Sequence, residues 1–347
     1  MNRENAAHEG TDTYRWYHRA AHRGDPYAQF NLAQLYLRGE GVGRDEARAA
    51  AWMARAAVSG LAYAQNHLGA MYYNGRGVAA DDGKAALWFR RAARQGDRSA
   101  QYNLGMLYRK GRGVAQSHRA AIGWFHRAAE QGMARAQGQL GDGYLNGLGV
   151  GASHPLALAW YRKAALQGLV VSQVRLAQMY ANGLGGPASV DQALYWFRHA
   201  AAAGHAGAQR QLGLIYARGL GVTRDAVQAA EWLRRAAGQG DAGAQGKLGA
   251  MYARGDGVRK DALRACIWTW LAAQGRRGVE RVHGAEPDFD PASAAGTAIG
   301  RYAAMLSPAE RGRARALMGR WLASRTVRGD DAGMPALARQ LPDRSGS

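Results

Sequence analysis

The chain has 347 residues, with 46 Lys and Arg against 26 Asp and Glu, and a net charge of +20. A hydrophobic share of 47% suffices for a buried core and excludes wholesale disorder. One cysteine, Cys266, excludes a disulfide scaffold and a Cys-based zinc site, and no apolar run is long enough to span a membrane.

Residues 1–12 are polar and without the apolar core of a secretory signal, so a disordered N-terminus and a cytoplasmic protein are expected. Residues 13–24 predict a lone helix carrying Trp16 and Ala20-Ala21. From there a fixed period governs the chain. Trp16, Trp52, Trp88, Trp124, Trp160, Trp196, Trp232 and Trp268 stand 36 residues apart, each followed four residues later by an Ala-Ala pair. Ala28-Gln29, Ala64-Gln65, Ala100-Gln101, Ala136-Gln137, Ala208-Gln209 and Ala244-Gln245 keep the same beat, with Ser172-Gln173 in the remaining slot. Self-similarity at such a period predicts a solenoid in place of separate domains.

Each unit reads as two helices. Ala28, Leu32 and Tyr36 form one apolar stripe on a first helix, which Gly39 ends. Gly-x-Gly recurs at the same register through Gly255 and Gly257. Asp45, Asp81, Ser117, Ser153, Ser189, Asp225 and Asp261 are N-cap signals for the second helices, which carry the tryptophans. Alanines allow close helix approach, and Trp and Tyr fill the space between layers.

The run from Ala100-Gln101 through Gly111, Gly113-Val114, Trp124-Phe125 and Ala128-Ala129 to Gly132 resembles the Sel1-like repeat family. The resemblance covers residues 14–275 and implies a tetratricopeptide-related, all-α, right-handed α/α superhelical solenoid. It also implies an adaptor that assembles other proteins, often in bacterial signalling, envelope or virulence pathways. The sequence therefore predicts a repeat solenoid over residues 13–275, with seven repeats after a half-repeat. Gly186-Pro187 departs from the Gly-Val of the other repeats and predicts a reshaped loop. Arg276 stands where a closing Gly is expected, and Trp270 is additional, so the stack is expected to change character there.

Residues 276–296 read as a Gly/Pro-punctuated linker with Glu286, Asp288 and Asp290. Ser307-Pro308-Ala309-Glu310 is a capping box opening a helix to about Arg325, whose Leu317, Trp321 and Leu322 give an apolar face; residues 297–325 are expected to cap the solenoid. Residues 326–347 are expected to be a disordered tail.

Little in this sequence points to catalysis. His18 and His22 have a metal-compatible i, i+4 spacing but no third ligand, and the Gly-x-Gly turns follow helices and lack the Gly-Lys-Ser/Thr of phosphate loops. Arg328-Gly329-Asp330 is taken as a chance tripeptide. No cofactor, metal or enzymatic activity is expected. A basic ladder three residues after each Trp (Arg19, Arg55, Arg91, Arg127, Lys163, His199 and Arg235) offers a track for nucleic acid or anionic lipid. Against that, Arg outnumbers Lys 41 to 5 across the chain, which fits a general compositional bias.

The first helices offer another face. Asn31, His67, Asn103, Gln139, Arg175, Gln211 and Lys247 form one row, and Arg38, Asn74, Lys110, Asn146, Asn182, Arg218 and Arg254 lie seven residues later. Seven residues are two helical turns, so the rows share a face, which is concave in tetratricopeptide-like solenoids. All fourteen are polar and none is acidic. Amides clamp peptide backbone and cations favour carboxylates, so the expected partner is an acidic or carboxylate-ended protein segment. The alternatives are a basic nucleic-acid-binding protein, and an exported envelope- or host-protein-binding factor should the true start lie upstream.

Overall fold

The computed structural model describes the backbone of residues 3–277 and 298–328, and side chains within 12–274 and 298–320. The expected linker from residue 278, the tail from residue 329, and the side chains of Trp321 and Leu322 lie outside them. The described residues are helical, with no strand among them.

The chain divides into two compact units, residues 1–172 and 173–347. The first contains α1 (Arg3–His22), α2 (Pro26–Arg38), α3 (Glu46–Val58), α4 (Ala62–Asn74), α5 (Asp82–Arg94), α6 (Arg98–Lys110), α7 (His118–Glu130), α8 (Ala134–Asn146) and α9 (His154–Leu166). Helix α10 (Val170–Asn182) starts at its end. The second unit continues with α11 (Val190–Ala202), α12 (Ala206–Arg218), α13 (Ala226–Gly238), α14 (Ala242–Arg254), α15 (Ala262–Arg277), α16 (Ala298–Ala303) and α17 (Pro308–Arg328). Helices α1 to α9 pack successively on one another, as do α11 to α15, while α16 and α17 both pack on α15. This is an α/α solenoid.

The repeat residues explain the packing. Leu32, Leu68, Leu104 and Leu140 are fully buried in the first unit, as are Leu176, Leu212 and Leu248 in the second. Each N-cap side chain accepts from the backbone three residues on, from Asp45 to Arg48 at 2.9 Å through Asp261 to Arg264 at 2.9 Å. The first helices end on glycines in the left-handed region, such as Gly111 at φ 68°. The second glycine of four of these turns does something further: a Cβ on Gly113, as on Gly77, Gly149 and Gly257, would collide with the backbone of the preceding second helix, here the Asp82 carbonyl. The loop therefore packs directly on its neighbour.

Buried glutamines bind the layers. Gln65, Gln101 and Gln137 donate from Nε2 to the carbonyls of Ala57, Ala93 and Ala129 at 3.1–3.2 Å. Those carbonyls belong to the preceding repeat, and the glutamine Oε1 atoms accept from Gln95, Gln131 and Gln167 of their own repeat at 2.8–2.9 Å. Gln29 lacks that second bond, because the equivalent position is Ser59, whose hydroxyl turns back to the Arg55 carbonyl.

Three features differ from the sequence expectation or extend it. Helix α1 begins at Arg3, earlier than the predicted half-repeat helix, since Arg3, Glu4, Ala6 and Ala7 favour helix and the helix continues through Gly10. The loop with Gly186-Pro187 keeps the frame of the others, with Ser189 N–H donating to the Tyr180 carbonyl at 2.9 Å as Asp81 does to Tyr72. Proline is tolerated because the equivalent N–H groups of Gly43, Ala79 and Ala115 make no backbone hydrogen bond in their loops. Helix α15 has 16 residues where the preceding second helices have 13. Its Trp268, Trp270 and Leu271 share a core with Ala303, Leu306, Ala314, Leu317 and Met318. Ser307 and Glu310 form the capping box at the start of α17, with Ser307 N–H donating to the Glu310 carboxylate at 2.9 Å.

Candidate functional site

Within each unit the first helices carry the predicted positions as two residues per helix, seven apart. In the first unit α2, α4, α6 and α8 carry Asn31/Arg38, His67/Asn74, Asn103/Lys110 and Gln139/Asn146. In the second unit α10, α12 and α14 carry Arg175/Asn182, Gln211/Arg218 and Lys247/Arg254. Asn31, Asn103, Gln139 and Gln211 are partly buried and the other ten are exposed. The register explains this: the intervening Ala, Gln, Leu and Tyr positions turn toward the neighbouring helices and leave these two rows outward.

Several of these groups are held locally. Asn103 donates to the Asn66 side chain at 3.1 Å, and the Arg109 guanidinium donates to the Gln139 amide oxygen. Asn74 and Asn146 donate to their own helices at the Ala70 and Asp142 carbonyls, both at 2.9 Å. Arg38 lies 3.7 Å from Glu40. The ring of His67 meets Phe30 at a centroid distance of 5.3 Å. Its edge is open to solvent, but surrounding protein displaces water and lowers its pKa from the usual 6.5, an effect Asp97 partly opposes.

One acid enters this face that the row positions do not predict. Asp142 of α8 lies between Gln139 and Asn146, and its carboxylate accepts from the Tyr161 hydroxyl at 2.6 Å. Its spacing of three from Gln139 and four to Asn146 is the signal that could have revealed it.

The basic ladder has a structural partner at most steps. Arg55, Arg91, Arg127 and Arg235 lie over Trp52, Trp88, Trp124 and Trp232 at 4.4–4.6 Å from the ring centroid, and Lys163 lies over Trp160 at 4.2 Å. His199 is 6.0 Å from Trp196. Each cation covers the outward face of its tryptophan, so the ladder has a packing role whether or not a ligand meets it. The His18–His22 pair is also engaged in packing. Its rings are 4.2 Å apart, His22 Nδ1 bonds to the His18 carbonyl, and His22 covers Trp52 at 4.8 Å. Among the described residues no cluster of three or more His, Cys, Asp or Glu could hold a metal. Cys266 is buried, which pushes its thiol pKa up to about 12. No described helix is long and apolar enough to cross a membrane.

Comparison with known proteins adds the family. The Sel1 repeat profile matches residues 13–25, 26–60, 62–97, 98–133, 134–169, 170–205, 206–241 and 242–275. A Sel1 repeat protein from Oxalobacter formigenes is similar in structure, with 34% identity over 85% of this chain and 80% of that one, and a TM-score of 0.66. Also similar is c5321, a protective antigen of uropathogenic Escherichia coli with an SLR fold, at 29% identity over 96% of this chain and 90% of that one, with a TM-score of 0.51. A search of curated proteins finds no match. Sel1 repeat proteins are generally protein-interaction scaffolds. With its repeat profile matched from residue 13 to 275, the chain belongs to the Sel1 repeat family.

Proposed function

We propose that this chain is a non-catalytic adaptor in a bacterial signalling, regulatory or virulence pathway, and that it binds an acidic, extended protein segment along its first-helix rows. The observation that carries this is chemical: all fourteen row positions are polar, none is acidic, and ten are exposed. Amides at Asn74, Asn103 and Asn146 suit a peptide backbone, while Arg38, Lys110, Arg175, Arg218, Lys247 and Arg254 suit carboxylates. Asp142 would locally disfavour an acidic side chain beside α8, so the segment is expected to present a neutral residue there. The family resemblance to a bacterial protective antigen supports the pathway class. The lone, buried Cys266 fits a cytoplasmic setting.

The test begins with affinity capture of the tagged protein from its native lysate, with nuclease and at low and high salt. One discrete protein surviving both treatments is the expected result. Asn103→Ala with Lys110→Glu should then abolish binding of that protein while leaving the helical content unchanged. Nucleic acid recovered without nuclease and lost at high salt would favour the ladder instead.

A further inference from the structure

A second surface, beside α11, joins an apolar loop edge to an exposed aromatic ring. In the first unit, two of the edges where a loop meets the preceding second helix are closed by ion pairs, while a third carries Leu148 and His118 at the same register. Arg76 meets Glu46 at 2.9 Å, and Arg112 meets Asp82 at 2.8 Å. In the second unit the pair at this register beside α11 is Leu220 and Val190, which are 49% and 45% exposed. Beside them Tyr195 is 50% exposed, at a register held elsewhere by Ala51, Leu87, Gly123, Ala159 and Glu231.

These substitutions border a groove of about 610 Å³ that runs along α11 and is closed on one side by Gly221 and Val222. Leu194 forms its buried floor, and the rings of Tyr195 and His199 stand 4.5 Å apart along it. Asp191 marks one end, and Arg198, whose guanidinium donates to the Tyr216 hydroxyl at 3.1 Å, stands one turn past Leu194. From Asp191 to Ala202 the groove follows eleven residues of helix, or about 16 Å. That is three helical turns, longer than a single anchoring side chain needs. Asp191 and Arg198 are seven residues apart, so opposite charges stand about 10 Å apart along the groove with apolar surface between them. A helix bearing a base and an acid two turns apart, with a large apolar residue between, matches all three features.

We infer that this groove of the second unit docks one amphipathic helix of a partner protein, with an apolar anchor between Leu194, Tyr195 and Val222, a basic residue at Asp191 and an acidic residue at Arg198. The site is separate from the first-helix rows and takes a helical, charge-balanced ligand where those rows take an extended, acidic one.

The probe is an alanine-based helical peptide with Lys, Phe and Glu at i, i+4 and i+7, labelled for fluorescence anisotropy with the full chain at low salt. Controls carry Glu at both charged positions, Lys at both, or Ala in place of Phe. The Lys–Phe–Glu peptide should bind at least about tenfold more tightly than each control. Tyr195→Ala should lower its affinity about tenfold, and Asp191→Arg should make the doubly acidic peptide the preferred one. Because the chain is strongly basic, a preference of the unaltered protein for the doubly acidic peptide would overturn the proposal. So would equal binding of all four, no binding, or an unchanged order with Asp191→Arg.

Discussion

The first and second helices of each repeat both present basic groups, yet the two faces use them differently. On the second helices, the cation three residues after Trp lies on the ring of that Trp in five repeats. On the first helices, the outward groups bond within their own helix, as at Asn74 and Asn146, or to a side chain of the preceding first helix, as at Asn103. Asn74 and Asn146 share the carbonyl four residues back, whereas Asn103 has a different kind of partner. Regular spacing of charge therefore does not by itself mark a binding surface. What distinguishes the faces is whether the fold already uses the charged group, and the second-helix ladder is so used.

The same contrast ranks the expected effects. Leu104 supports both helices of its layer and is fully buried, so Leu104→Ala should cost about 2–5 kcal/mol in chemical denaturation. A loss below 1 kcal/mol would show that the layers are less tightly coupled than the packing implies. Ser59→Gln should work in the opposite direction. It supplies the missing donor to Gln29 Oε1 and should raise stability by about 0.5–1.5 kcal/mol. Arg127→Ala removes the cover of Trp124 and should cost about 0.5–1 kcal/mol, sharpening the claim that the ladder is structural. No change in unfolding midpoint would leave that cation free for a ligand.

His67 provides the smallest and most specific contrast. Its pKa is lowered on folding, chiefly by desolvation, so the unfolded chain takes up the proton more readily. Its contribution is fully present above the unfolded value of 6.5 and is lost as pH falls through the lower folded value. Midpoints measured across this range should fall with acidification, and His67→Gln should flatten that limb. An unchanged slope in the variant would assign the pH dependence elsewhere.

Much of the fold was legible because its determinants are local and repeated. The seven N-caps act three residues away, and the glycines act within their own turns, so spacing alone reveals them. The glutamine relay was less visible: Gln95 and Gln65 are 30 residues apart, and only the packing of α4 on α5 brings them to 2.8 Å. The collision that forbids a side chain at Gly113 likewise depends on the neighbouring repeat. The Trp–Arg spacing was visible, but spacing does not tell a stacked cation from a solvated one. For the candidate site, the i, i+7 pattern gave the row positions, whereas the bond from Arg109 to Gln139 and the acid at Asp142 required the packed helices. The groove beside Tyr195 combines an α11 face with the loop after α12, which the sequence register alone does not bring together.

The most direct measurement compares the two faces at equal change of charge. Once the captured partner is in hand, its affinity is measured for Asn103→Ala with Lys110→Glu and for Arg127→Glu, each of which shifts the net charge by the same amount. The first should lose at least about tenfold in affinity and the second should bind as the unaltered chain does. Equal losses would mean that binding responds to overall charge, and loss only with Arg127→Glu would move the site to the second helices.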